Sequence, residues 1–203
     1  MDKKRLGIIG LVLAVALVPV LVADVMYFYQ GTINVVSTSQ PLIFGYGPNG
    51  NPSGQYGSYV SVTNGTAGVG FTATISLTNS SYAFYSQVVQ IQVKTSGYMY
   101  ISNESLTGSS INNAYILIQA KGQTGFPDVI QVVSDGAPVF KSSGNGGTSG
   151  GVSLTEGTYY VSILVQPSLP LPNDAPGTSL GELSLYFGFN PFQQTSYAPL
   201  PPT

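Results

Sequence analysis

The feature that most constrains this chain is a two-residue rhythm of apolar and polar side chains. It is clearest in Gly70–Thr78, which reads GFTATISLT. Side chains two positions apart on an extended strand point to the same face. Phe71, Ala73, Ile75 and Leu77 therefore share one face, and Thr72, Thr74, Ser76 and Thr78 share the other. Such a segment is a strand with one buried and one wetted side. In Tyr82–Thr95, Val89, Ile91 and Val93 alternate with Gln90, Gln92 and Lys94. Thr158–Gln166 and Gly181–Phe189 follow the same rule, the latter with Leu183, Leu185, Phe187 and Phe189 on one face. Shorter strands are expected at Leu42–Tyr46, Tyr59–Thr63, Tyr98–Ser102, Ala114–Ala120, Asp128–Ser134 and Pro138–Lys141. No helical period follows residue 24, so the expected fold is all-β.

Turn chemistry separates the runs. Asn64-Gly65 lies between two alternating segments and suits positive φ, which predicts a hairpin or short loop there. The glycine-rich segments Gly47–Gly57 and Ser142–Gly151 read as flexible surface loops. This many short strands at this spacing predict a β-sandwich of jelly-roll or Greek-key type over residues 37–190. No internal repeat and no second domain is evident. Residues 191–203 hold four prolines and no charge, and read as an extended tail.

Composition narrows the chemistry. The chain has no Cys, no His and no Trp. It therefore has no disulfide framework, thiol nucleophile, Ser-His pair or imidazole ligand. Charged residues make up 7%, against roughly 25% in an ordinary soluble domain. Three of the six basic residues, Lys3, Lys4 and Arg5, sit at the start. Beyond residue 23 only Lys94, Lys121 and Lys141 face seven acids. No basic patch forms, so nucleic acid and anionic membrane surfaces are not expected partners. A surface of Ser, Thr, Asn, Gln, Gly and Tyr suits an extracellular protein covered by glycans or by assembly.

The first residues carry an address. Lys3, Lys4 and Arg5 precede Leu6–Ala23, LGIIGLVLAVALVPVLVA, which has no charge. A basic start, an apolar run and a small residue before the next segment are the layout of a signal peptide. Residues 1–23 are read as that signal, with cleavage between Ala23 and Asp24, although Leu21 is a large residue for its place before the cut. The membrane is then met only through this segment before cleavage. Two other readings keep the apolar run. One is a type IV pilin-like leader cut near Gly7, and the other is a simple anchor. Gly10 and Pro19 interrupt the helix that both require.

Residues 24–36, DVMYFYQGTINVV, are dense in aromatic and β-branched residues, which favour strands. A free apolar strand must pair somewhere. It is either the first strand of its own sandwich or a donor strand inserted into the next subunit's sheet. In the second arrangement Val25, Met26, Tyr27, Phe28, Tyr29 and Ile33 form the inserted strand, with alternate side chains in pockets. An aromatic strand ending in Gly31-Thr32-Ile33-Asn34-Val35 just after an export signal resembles the start of TasA/camelysin-type matrix proteins. The low charge, the Tyr/Ser/Thr-rich strands and the glycosylation sequons resemble the subunits of archaeal threads and bundling pili. The motif covers about the first quarter of the chain, and the remainder is similar in composition and strand pattern. The resemblance implies jelly-roll-like subunits polymerised by N-terminal donor strands. The expected partners are then identical subunits in a head-to-tail extracellular filament that serves adhesion or biofilm.

Asn64-Gly65-Thr66, Asn79-Ser80-Ser81 and Asn103-Glu104-Ser105 match the N-glycosylation pattern and are expected at strand ends, whereas Asn51 is followed by Pro52. Covalent N-glycans at Asn64, Asn79 and Asn103 are therefore expected. Asp128 and Asp135 flank one expected strand, which is a poor arrangement for a carboxylate pair facing one bond. No Asp-rich loop has calcium-ligand spacing. No catalytic residue, metal or cofactor is assigned. The tyrosines Tyr27, Tyr29, Tyr82, Tyr85, Tyr98, Tyr100, Tyr159 and Tyr160 carry the competing expectation of a monomeric glycan-binding adhesin, although such residues more often pack at sheet edges and interfaces.

Overall fold

The two-residue alternation is realised as antiparallel strands in a computed structural model that describes residues 39–55, 57–139, 151–172 and 178–193. Outside the described residues lie the export segment, the Ala23-Asp24 bond, the 24–36 segment with Val25, Met26, Tyr27, Phe28, Tyr29 and Ile33, all but Gly151 of the Ser142–Gly151 loop, and residues 194–203 of the tail. The described strands are β1 (Leu42–Tyr46), β2 (Val60–Asn64), β3 (Phe71–Ile75), β4 (Ala83–Val93), β5 (Gly97–Thr107), β6 (Ile111–Ala120), β7 (Asp128–Ser134), β8 (Ala137–Pro138), β9 (Val152–Leu154), β10 (Gly157–Pro167) and β11 (Glu182–Asn190).

They form a six-stranded sheet ordered β1-β4-β10-β6-β7-β8, a three-stranded sheet ordered β11-β5-β9 and a hairpin β2-β3. Every pairing is antiparallel. The chain leaves the large sheet after β4, returns at β6, and repeats the excursion around β10. One buried cluster joins all three sheets in a β-sandwich. It takes Val89, Ile91 and Val161 from the large sheet, Met99, Ile101 and Leu154 from the three-stranded sheet, and Val60 and Val62 from the hairpin. Burying each such side chain contributes roughly 1.5–3 kcal/mol.

Four register shifts interrupt the ladders, and three of them keep apolar residues inward on both sides of a phase slip. In β4, Tyr85 pairs with Ile163 and Val89 with Val161, so β4 carries two residues more than β10 between those pairs. Gln87 absorbs the surplus with φ 50. Its N–H is satisfied by Ser162 Oγ at 2.9 Å, and the adjacent Val88 and Val89 are both buried. In β7, Val132 is the extra residue, and it and Val133 are both buried. In β5, Ser102 is extra between the pairs Ile101–Phe187 and Asn103–Tyr186. Glu104 and Leu106 thereby join the inward series begun by Met99 and Ile101.

The hairpin expected around Asn64-Gly65 forms between β2 and β3, but its reversal lies beyond that dipeptide, because Gly65 has φ −66 and is extended. Positive φ falls instead at Ala67 (55) and Gly68 (72). The tight two-residue hairpin is Asp135-Gly136, with φ 50 and 73, between the paired residues Ser134 and Ala137. Positive φ at both central residues is what a primed hairpin turn requires. The Gly47–Gly57 segment is also more than a surface loop. Gly47 N–H donates to Val88 O at 2.7 Å, Gly50 O accepts from Val62 N at 2.8 Å, and both glycines are buried. A Cβ at Gly50 would lie 1.9 Å from Val88 O, so only glycine lets this backbone lie against the β4 bulge.

Candidate assembly site

The sites expected from sequence fall apart or are kept, one by one. Asp128 starts β7 and Asp135 lies in the turn after it, both exposed, at opposite ends of the strand as expected. Among the described residues no group of three His, Cys, Asp or Glu side chains gathers. Tyr27 and Tyr29 lie outside the described residues, and the other tyrosines differ in exposure. Tyr85, Tyr100 and Tyr159 are core residues, Tyr98 and Tyr160 are half-buried, and Tyr82 is exposed. Tyr85 Oη donates to Ser76 O at 2.6 Å, and burial pushes its pKa up. Tyr159 Oη accepts from Thr155 N at 3.0 Å.

Two of the sequons lie in exposed positions. Asn64 ends β2. Asn79 lies between β3 and β4, where its Oδ1 accepts from Leu171 N at 2.9 Å. Asn103 corrects the expectation of a strand end, because it lies within β5, paired in register with Tyr186 beside the bulge.

The outstanding geometry is at strand edges. Among the described residues β3 pairs only with β2, and β11 only with β5. β3 carries no charge, and β11 carries one, at Glu182 where it begins. Edges exposed to solvent are ordinarily blunted by short length, lysine, proline or a covering loop. The remaining edges are short or covered, and along β2 the covering segment is 47–50, where Gly50 O accepts from Val62 N at 2.8 Å. β8 and β9 span two and three residues. The turn at Gly68 lies against β1, so that a Cβ there would fall 2.6 Å from Ile43 Cγ2.

The inward faces along β3 and β11 are incompletely covered. Phe71, Ala73 and Ile75 of β3 and Leu183, Leu185, Phe187 and Phe189 of β11 pack on the core yet are only half-buried. Ala83 of β4 and Ile163 of β10 are half-buried too, although both strands lie in the interior of the large sheet. Phe71 and Phe187 touch, with ring centroids 6.2 Å apart, and both meet Phe44 of β1, at 5.6 and 5.5 Å. The two edges are therefore bridged by side chains where no described backbone pairing joins them. Sequence alternation marks the two faces but does not show that their edges are unpaired, since that depends on the order of strands in the sheets.

No protein-family model matches the chain, and no curated protein matches it. Among the described residues no helix is long and apolar enough to cross a membrane.

Proposed function

We propose that the protein is the structural subunit of an extracellular filament, polymerising head to tail when the N-terminal strand of one subunit completes the sheet of the next. The observation that carries this reading is the pair of edges β3 and β11, each paired on one side only among the described residues, whose inward apolar residues are only half-buried. Strand addition at an open edge gains main-chain hydrogen bonds over the length of the edge and seats alternate side chains. A contact between two different surfaces propagates instead of closing, so it builds a fibre. The chain has an uncharged, strand-forming segment to contribute at 25–36. Its scarcity of charge removes the repulsion that would oppose close packing of identical copies. Export through the 1–23 segment, glycans on Asn64, Asn79 and Asn103, and a role in adhesion or biofilm complete the proposal.

Electron cryo-microscopy of material sheared from producing cells, with mass spectrometry of the N-terminus, tests it. Filaments whose subunits begin at Asp24 are expected. Deleting residues 24–33 is expected to leave export intact and abolish polymer, and wild-type-like filaments from that deletion would sink the proposal.

A further inference from the structure

We infer that the slot between β3 and β11 receives residues 31–36, Gly-Thr-Ile-Asn-Val-Val, of a neighbouring copy of this chain, with Ile33 and Val35 turned into the core. This rests on the filament reading and fixes which part of the N-terminal segment is seated, and where.

Strand count comes first. The hairpin and the three-stranded sheet together hold five strands, and the large sheet with which they share one core holds six. One strand inserted between β3 and β11 joins them into a single layer, β2-β3-insert-β11-β5-β9, equal in number to its partner. It would bring main-chain partners to both open edges at once. It would also cover the half-buried row of Ala73, Ile75, Leu183 and Leu185. A strand set between two neighbours occupies about 9–10 Å, twice the inter-strand spacing.

The pattern of the walls then selects the occupant. Along β3 the inward residues alternate with exposed Thr72 and Thr74. Along β11 they alternate with Ser184 and half-exposed Tyr186. A strand between them must continue both faces, apolar inside and polar outside. Residues 25–29 do not meet this, because Val25, Tyr27 and Tyr29 on one face are matched by Met26 and Phe28 on the other. Residues 32–35 do meet it, because Ile33 and Val35 alternate with Thr32 and Asn34. Thr32 and Asn34 then continue the threonine row of β3. The seat thus shifts along the chain from the aromatic cluster to the Gly-Thr-Ile-Asn-Val step.

The link to the donor's own domain is short. Five residues separate Val36 from Leu42 at the start of β1, and Pro41 O is already held by Lys94 N at 2.8 Å. Fully extended, that link reaches about 20 Å. The acceptor slot must therefore lie within that distance of the donor's β1, which makes consecutive subunits abut.

The chain has no cysteine, so introduced cysteines pair only with each other. Cells are made to co-produce a full-length Asn34→Cys chain with a full-length chain carrying Thr72→Cys, Thr74→Cys or Ser184→Cys, and sheared material is run without reductant. A disulfide needs Cα atoms about 4.4–6.8 Å apart, so the panel also reads the register. Covalent dimers joining Asn34→Cys to at least one slot position are expected. In the same cells Ile33→Asp is expected to lower filament yield by at least about tenfold, since it places an unpaired charge in the core, and to cost more polymer than Tyr27→Ser does. Filaments that form with no cross-link to any slot position overturn the assignment and leave the filament reading standing. The same holds if the cross-link forms only within a chain carrying both cysteines, or if Tyr27→Ser costs more polymer than Ile33→Asp. Absence of filaments from wild-type cells overturns both.

Discussion

Tyr100 on β5 lies across its register partner Gly188 on β11, so that a Cβ at 188 would fall 2.2 Å from Tyr100 Cε2. The ring fills the space that a side chain would occupy, and Tyr100 is itself buried. Gly188→Val is therefore expected to overpack this strand pair and cost about 1–3 kcal/mol of unfolding free energy, measured by denaturant titration of the full chain. Because β11 is one wall of the slot, filament yield from the same variant should fall as well.

The Asp135-Gly136 hairpin makes a cleaner backbone test. Gly136 has φ 73, and the nearest atom to a Cβ there would be Ile111 O at 3.8 Å, an ordinary contact. Gly136→Ala thus isolates the cost of a left-handed backbone, about 1–2 kcal/mol, without a clash. Asp135→Asn, which suits the same turn, is expected to leave stability within about 0.5 kcal/mol of wild type.

Tyr85 supplies the pH dependence. Burial raises its pKa above 10.0, so the folded state holds this proton more tightly than the unfolded state does. Its contribution to stability is complete below about pH 10, the unfolded value, and is lost as pH rises through the higher folded value. Unfolding curves collected upward from pH 9 should show stability falling, with a shallower fall in Tyr85→Phe. At neutral pH that variant gives up the bond to Ser76 O, worth about 0.5–1.5 kcal/mol.

Asn79 separates glycan from fold. Its Oδ1 accepts from Leu171 N, and a carboxylate can do the same. Asn79→Asp should remove a glycan mass from the purified protein and leave thermal stability close to that of enzymatically deglycosylated wild type. Asn79→Ala should lose the same mass and a further 1 kcal/mol or so, because the Leu171 N–H loses its partner.

What could be read beforehand follows from how far the alternation runs unbroken. β1 and β7 emerge with the expected bounds, and β3, β4, β6, β10 and β11 lie within a few residues of theirs. The expected strand Tyr98–Ser102 covers only part of β5, since the alternation of apolar residues slips phase at Ser102. The strand instead runs on to Thr107 through a bulge that restores the inward face at Glu104 and Leu106. A bulge is indistinguishable from a strand end in a one-dimensional pattern, because both appear as a failed alternation. β9 escaped notice for another reason. Its three residues follow a glycine-rich run and gain their place only by pairing with Gly97–Met99. The two hairpin dipeptides show the limit of local signals. Asp135-Gly136 makes the primed turn, whereas Asn64-Gly65 stays extended because Gly65 N bonds Gly70 O at 2.8 Å and the chain reverses at Ala67-Gly68. The slot was beyond reach for the same reason, since edges are defined by which strand lies beside which.

The pairing of β4 with β10 has a consequence for timing. Its register joins Gly157 to Val93 at one end and Val165 to Ala83 at the other, separations of 64 and 82 residues. Both strands of this pair lie in the interior of the large sheet. A chain emerging from its N-terminus therefore presents β4 long before the strand that covers its inner edge has appeared. Closing such distant pairs carries loop entropy before any contact repays it, which makes folding slow. On the export reading proposed above, that delay is an asset, because a chain crosses a membrane as an extended thread. The sheet cannot lock until nearly four-fifths of the chain has been made, so on that reading the fold itself would keep the polypeptide threadable during export.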